Sequence, residues 1–328
     1  MPSVSVIVPN YNHAPYLPRR LESILTQTHS DFELVILDDC SPDASREIIE
    51  RFTGDPRVRS VYNEQNSGNT FLQWSKGLDL TSGDYVWIAE SDDFADPLFL
   101  ERLIGMMEAN AQVGLAFCET TVVDENDREM GWYPEHNLPD AYHRSRYDVL
   151  NRQFVRDGRD YAREYMFPWN TIPNASAVLF RRTSLQSIGG PVTSMRLCGD
   201  WMIYCKILSK WQVGHIPERF NHFRQHTANV RSKARREVFA REWLDVAGWV
   251  EREIGDLPRE AKRQSDRFVA EVLVGIDRRP EDGRVPLASM PLALQRARQF
   301  APRLLLPTAT SLARQIAGSA VRLIGPHR

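Results

Sequence analysis

VSVIVPNYN at residues 4–12 and FELVILDDCSPD at residues 32–43 decide how this chain folds. Each opens with an apolar run too short for a helix and ends in a polar cluster, the signature of a buried strand entering a turn. Between them, Leu17, Leu21, Ile24 and Leu25 recur at helical spacing within residues 15–27. Strand, helix, strand in that order predicts parallel pairing through a right-handed crossover. The rhythm continues along the chain. Ser41-Pro42 predicts a helix start with Ser41 as N-cap. Further strands are expected at 58–62, 85–89 and 113–118, with helices over 70–80 and 96–109. The expected fold class is therefore α/β, a doubly wound sheet flanked by helices.

Beyond residue 120 the pattern loosens. Residues 120–172 read as loops and helices covering a site, 174–181 as a strand, 200–210 as a helix and 213–217 as a short extended segment. From about residue 232 the chain reads as mostly helical, with proline-rich breaks at 280–307.

Hydrophobic residues make up 42% and charged residues 26% of the 328 positions, which excludes a disordered or fibrous chain. The formal net charge of −2 gives no reason to expect nucleic acid as a partner. That average hides a gradient. Residues 1–110 carry 8 basic and 18 acidic side chains, whereas residues 285–328 carry 6 arginines and no acid. The four cysteines, Cys40, Cys118, Cys198 and Cys205, are widely spaced and form no CxxC pair, so they read as reduced thiols of a cytoplasmic protein. No apolar run is long enough to cross a membrane, and no signal-peptide pattern opens the chain.

In doubly wound sheets, ligands bind beyond the carboxyl ends of the strands. Three polar clusters fall at such ends: Pro9-Asn10-Tyr11-Asn12, Asp38-Asp39 and Glu90-Ser91-Asp92-Asp93. Three carboxylates within four residues repel one another, and a hard divalent cation such as Mg²⁺ or Mn²⁺ offsets that repulsion. The plain alternative is a solvated acidic turn before a helix capped at Asp96-Pro97. Asp38-Asp39 sits where acids accept hydrogen bonds from a nucleotide, or where they cap the next helix. Tyr11 is placed to stack on a base or simply to pack. Neither GxGxxG after the first strand nor GxxxxGK[ST] occurs, which argues against dinucleotide dehydrogenases and P-loop enzymes.

The segments VSVIVPNYN, FELVILDDCSPD, NSGNTFLQWSKGLDLTSGDYVWIAESDD and the distant CGDW together resemble family 2 glycosyltransferases, which share the GT-A fold. The match in order and spacing covers residues 1–230. It implies a GT-A domain over 1–230, with a nucleotide-binding half at 1–118 and an acceptor half at 119–230. A helical extension with a basic tail follows at 231–328. The resemblance also implies a GT-A-type doubly wound mixed sheet and an inverting transferase that uses a nucleotide-sugar donor, expected to be UDP-linked, and Mg²⁺ or Mn²⁺.

Carried over by position, Pro9 and Tyr11 line the nucleotide site, Asp39 contacts a uracil-type base with Asp38 beside it, and Asn66 and Gly68 belong to the loop before the third helix. Asp92 and Asp93 match the DXD-type pair around metal and diphosphate, with Asp93 the favoured ligand. Glu90 stands where many relatives have Asp. Gln73-Trp74 occur near the place of the relatives' Ala-Arg-Asn, with Lys76 as a substitute basic group. Asp200 matches the second half of a Glu-Asp pair and is the implied catalytic base, Gly199 replacing the first acid. Without the resemblance, Asp200 reads as a helix N-cap. His226, in Phe223-Arg224-Gln225-His226, falls near the diphosphate as a candidate metal ligand. Asn174 borders the implied acceptor site.

The implied function is sugar transfer to a hydroxyl of a glycan or lipid-linked acceptor in polysaccharide or cell-surface glycan biosynthesis. A catalytically silent nucleotide-sugar-binding protein on the same scaffold is the alternative. A nucleotidyltransferase would show a glycine-rich basic loop where Pro9-Asn10-Tyr11-Asn12 stands. The tail spaces Leu312, Ile316, Ala320 and Leu323 at helical intervals. It reads either as a packed helix or as a peripheral contact with the inner face of an anionic membrane.

Overall fold

A computed structural model describes residues 3–134, 147–167, 169–225, 236–259 and 261. The chain divides into two units, Met1–Ser232 and Lys233–Arg328. In the first unit β1 (Val4–Asn10), β2 (Phe32–Asp38), β3 (Val58–Tyr62) and β4 (Tyr85–Ile88) alternate with α1 (Leu17–Leu25), α2 (Ser45–Glu50) and α3 (Thr70–Asp79). Then come β5 (Phe94–Ala95), α4 (Phe99–Ala109), β6 (Val113–Val123), β7 (Glu129–Trp132), β8 (Phe154–Arg156) and α5 (Gly158–Tyr165). The unit closes with β9 (Val178–Arg181), α6 (Arg182–Ser187), α7 (Gly199–Leu208) and β10 (Gln212–Arg224).

The strands form one sheet in the order β3-β2-β1-β4-β9-β6-β10-β5, with β7 paired to β6 and β8 to β10. β1 lies parallel to both β2 and β4, and β2 parallel to β3. Every residue of β1 is buried, as expected of a central parallel strand covered on both faces. Its partner positions place Asn10 opposite Asp38 and Ile7 opposite Ile88, so the carboxyl ends of β1, β2 and β4 share one edge. β9 runs antiparallel between β4 and β6, which makes the sheet mixed.

α1 buries Leu17, Leu21 and Ile24 on one stripe against the apolar side chains of β1 and β2. Each fully buried aliphatic side chain of this kind contributes about 1.5–3 kcal/mol by leaving water. The same stripe buries Arg20.

Two expectations are corrected. The helix after β2 begins at Ser45 rather than at Pro42, and Asp43, not Ser41, supplies the acceptor for the Ser45 N–H at 3.0 Å. Ser41 is occupied elsewhere: its Oγ accepts from the Asn12 N–H at 2.9 Å and the Asn10 amide at 3.2 Å. The short extended segment expected at 213–217 is a 13-residue strand, β10.

In the second unit, α8 (Arg236–Glu253) buries Trp243, Val246, Ala247 and Val250 at helical spacing. Gly255, at φ +68°, ends it by donating its N–H to the Val250 carbonyl at 3.3 Å. The basic tail lies outside the described residues. Among the described residues no helix is long and apolar enough to cross a membrane.

Candidate active site

The ends of β1 and β2 are stitched together by side chains. Asp38 is buried and accepts from the Asn10 amide at 2.7 Å through one oxygen and from the Ser41 N–H at 3.0 Å through the other. Asn12 and Cys40 both adopt φ of 60°, a left-handed conformation that non-glycine residues take at a cost. Pro9 is buried within β1 opposite Leu37. Tyr11, 47% exposed, is the group presented at this end.

Asp39 is buried and engages the loop between β3 and α3. One oxygen accepts from the Asn63 amide at 2.6 Å, the Ser67 N–H at 2.9 Å and the Gln73 amide at 3.0 Å. The other accepts from the Ser67 N–H at 3.0 Å and its hydroxyl at 2.7 Å. Asn66 and Gly68 shape the same loop: the Gly68 N–H donates to Asn66 Oδ1 at 2.6 Å, and Gly68 sits at φ +66°. Asn69 caps α3 by accepting from the Phe71 N–H at 2.9 Å. Lys76 turns inward, donating to Asn63 Oδ1.

Glu90-Ser91-Asp92-Asp93 forms a turn between β4 and β5, closed by the Asp93 N–H donating to the Glu90 carbonyl at 3.3 Å. Its three carboxylates are not equivalent. Asp93 is 1% exposed, and its oxygens accept from the Arg224 N–H at 2.9 Å and the Asn174 amide at 2.7 Å. Burial, then the Asp92 charge, pushes its carboxyl well above the ordinary range. Glu90 accepts from the Trp74 indole N–H at 3.0 Å. Burial, and then the Asp92 and Asp93 charges, push it up to about 8. Asp92 is the half-buried member of the pair. Asp93 is sealed beneath the turn, and Asp92 is the more open of the two.

Among the described residues, no group of three or more His, Cys, Asp or Glu side chains is arranged to hold a metal ion. The donor set that remains is one half-buried carboxylate with a second beneath it. This fits Mg²⁺ or Mn²⁺, which take one or two protein carboxylates and draw other oxygens from a diphosphate and water. His226 lies outside the described residues.

Asp200 stands in the first turn of α7, half-buried, with Oδ1 accepting from the Trp201 N–H at 2.8 Å. The residue preceding the helix is Cys198, so Asp200 lies inside α7 and is not its N-cap. Gly199 packs against Phe71 of α3. Phe71 meets Trp74 edge-on at 4.9 Å between ring centroids, and Trp74 in turn holds Glu90. Asn69 joins the same side, donating to the carbonyls of Thr193 and Met195 at 2.8 and 3.1 Å. Thus α3 links the Asp39 loop, the acidic turn and the approach to Asp200.

Sequence reading missed the basic residues around the acidic turn. Arg20, 0% exposed, donates from Nε to the Glu90 carbonyl at 2.8 Å and from Nη2 to Ser176 Oγ at 2.8 Å. Arg224, 2% exposed, donates from Nε to the Asp92 carbonyl at 2.7 Å. The available signal was an arginine on the apolar stripe of α1, three positions after Leu17 and one before Leu21.

The polar ends of β1 and β2 and the acidic turn after β4 thus share one edge of a mixed sheet. The family model for glycosyl transferase family 2 matches residues 5–189, and the chain belongs to that family. An uncharacterized glycosyltransferase of Nostoc sp. is 27% identical over 253 residues, 75% of this chain and 71% of that protein. The putative teichuronic acid biosynthesis glycosyltransferase TuaG of Bacillus subtilis is 41% identical over 93 residues, 28% of this chain and 36% of its own length. The crystal structure of S. aureus TarS 1-349 in complex with UDP-GlcNAc superposes with a TM-score of 0.61 at 18% identity, covering 90% of this chain and 80% of that one. The mannosyltransferase PcManGT from Pyrobaculum calidifontis, in complex with GDP-Man and Mn²⁺, gives 0.57 at 21% identity, covering 99% and 81%. These likenesses establish the GT-A-type fold.

Proposed function

We propose that this chain is an inverting glycosyltransferase that moves a sugar from a UDP-linked donor to a hydroxyl of a glycan or lipid-linked acceptor in cell-surface glycan synthesis. The observation that carries the reading is the convergence on one sheet edge of the Asn10–Asp38 pair, the Asp39 loop and the Glu90–Asp93 turn. Tyr11 offers an exposed ring to the base. A base that reaches Asp39 exchanges one of its bonds to Asn63, Ser67 or Gln73. Asp92, with Asp93 beneath it, would hold Mg²⁺ or Mn²⁺ together with the donor diphosphate. The bound ion supplies Lewis-acid stabilisation of the departing nucleoside diphosphate.

Asp200 is the proposed general base. In a single displacement, an acceptor oxygen forms a bond to the anomeric carbon as the bond to the phosphate oxygen breaks. The electron pair leaves with the nucleoside diphosphate, and the acceptor proton passes to the Asp200 carboxylate.

The test is transfer from a panel of UDP- and GDP-sugars with Mn²⁺, read by mass spectrometry. The expected result is metal-dependent product with one UDP-sugar. Asp200→Asn should lose at least about 100-fold in rate, the scale of general-base catalysis, and keep donor affinity. One observation favours a second reading, a silent nucleotide-sugar-binding protein: Phe71 fills the space beside Gly199 where a second acid would stand. Donor binding without turnover across the panel would establish that reading instead.

A further inference from the structure

Two buried arginines from distant parts of the chain grip the acidic turn by its backbone. Arg20 reaches in from α1 and holds the carbonyl of Glu90; Arg224 reaches in from the end of β10 and holds the carbonyl of Asp92. Each also has a second anchor. Arg20 Nη2 donates to Ser176 Oγ, which accepts from the Glu90 N–H at 3.1 Å, closing a ring around the start of the turn. The Arg20 guanidinium lies 5.2 Å from the Trp87 ring centroid, and the Trp87 indole N–H donates to the Ser176 carbonyl at 2.9 Å. Arg224 donates through Nη1 to the Asp124 carbonyl at 2.8 Å and through Nη2 to the Asp127 carboxylate, and it covers Tyr16 at 4.7 Å. Its own backbone N–H fixes Asp93.

Burying a guanidinium is costly, and its persistence needs a reason beyond packing. Arg20 makes no ion pair within 4.0 Å among the described residues, and its Nη1 has no hydrogen-bond partner there. Burial lowers its pKa to about 10, while the carboxylates of Asp93, Asp92 and Glu90 act in the opposite direction. Its charge thus serves the whole turn instead of one acid. Both carbonyls are drawn toward arginines, which restrains the backbone of the turn.

We propose that Arg20 and Arg224 are positioning residues that preset the Glu90–Asp93 turn for a divalent cation, holding Asp92 and Asp93 in place through the carbonyls of Glu90 and Asp92. The inference rests on the reading of Asp92 as the metal site. The planar fork matters to it, because Nε and Nη2 meet the Glu90 carbonyl and Ser176 from two fixed positions that a single ammonium nitrogen does not reproduce. Arg20→Lys keeps the charge and loses the fork.

The full-length protein, as wild type, Arg20→Lys and Ser176→Ala, is titrated with Mn²⁺ in the presence of UDP and followed by electron paramagnetic resonance. Turnover and thermal melting are measured alongside. Ser176→Ala removes the second anchor with less disturbance of the core and decides the question if Arg20→Lys does not fold. The expected result is Mn²⁺ affinity at least about 5-fold weaker and kcat at least about 10-fold lower, with donor KM within about 3-fold of wild type. A protein that only melts earlier, with wild-type Mn²⁺ affinity and specific activity in its folded fraction, overturns the proposal. If wild type itself binds no Mn²⁺, the metal reading fails, and that result is distinct because it appears before any substitution is made.

Discussion

The Cα of Gly199 faces the ring of Phe71 so closely that a methyl group there would lie 2.6 Å from the Phe71 ring carbons. Phe71 is buried and held against Trp74, so it has little room to withdraw. Gly199→Ala should therefore destabilise the protein by about 1–3 kcal/mol, the usual cost of overpacking, despite alanine's better helix propensity. Adding Phe71→Leu should recover part of that loss in a denaturant melt. Additive losses in the double variant would show that the two residues are not in conflict.

Cys40 sits at φ +60° between the buried Asp39 and the bridging Ser41. Cys40→Gly should raise stability by about 0.5–1 kcal/mol, since relief of the left-handed conformation exceeds the entropic cost of glycine. Cys40→Val should lower it. Cys40 is also the exposed thiol, whereas Cys118, Cys198 and Cys205 are buried and burial raises the Cys118 and Cys205 thiols. The native protein should therefore react rapidly with one equivalent of a thiol reagent; four equivalents at one rate would contradict the structure.

Glu90, pushed up to about 8 chiefly by burial, holds its proton more tightly in the folded state than in the unfolded chain, where a glutamic acid titrates near about 4.3. Its contribution to stability is then fully present below about pH 4.3 and is lost as pH rises through about 8. Metal-free wild type should melt progressively lower from about pH 5 to about pH 8.5 relative to Glu90→Gln, which carries no titrating group there. A constant difference between the two melting curves would rule out the Glu90 carboxyl as the cause.

Asp39 ties together Asn63, Ser67 and Gln73. Asp39→Ala leaves those donors without a buried acceptor and should cost about 1.5–3 kcal/mol, the range for hydrogen bonds to a charged group. Hydrogen exchange should rise most in residues 63–69. Exchange unchanged in that loop would mean the carboxylate does not hold it.

The strands β1, β2 and β4 were legible because each is a short apolar run bounded by polar residues and lies inside the sheet. The length of β6 was not. Its apolar run stops at Cys118, yet the strand continues through Glu119, Thr120 and Thr121, all buried. Partners from β10 make this affordable: His215 pairs with Glu119 at 2.9 Å, and Asn221 donates to Thr120 at 3.1 Å. A strand completed by polar partners distant in sequence has no local signature. The same holds at the site. Asp38, Asp39 and the acidic turn were found from position, but which carboxylate is sealed depends on Asn174 and Arg224, 81 and 131 residues away from Asp93. Ser41 resembled a helix cap because its Oγ is an acceptor in the right composition; Asn10 and Asn12 claim it first.

The stitching of Asn10, Asp38, Ser41 and Asn12 has a kinetic corollary. These strand ends are ordered by the chain's own hydrogen bonds, so their conformational entropy is surrendered once, at folding, and not again at each encounter with a ligand. A molecule entering this edge of the sheet meets a surface already in shape. Binding there needs no further ordering of Asn10, Asn12, Asp38 and Ser41.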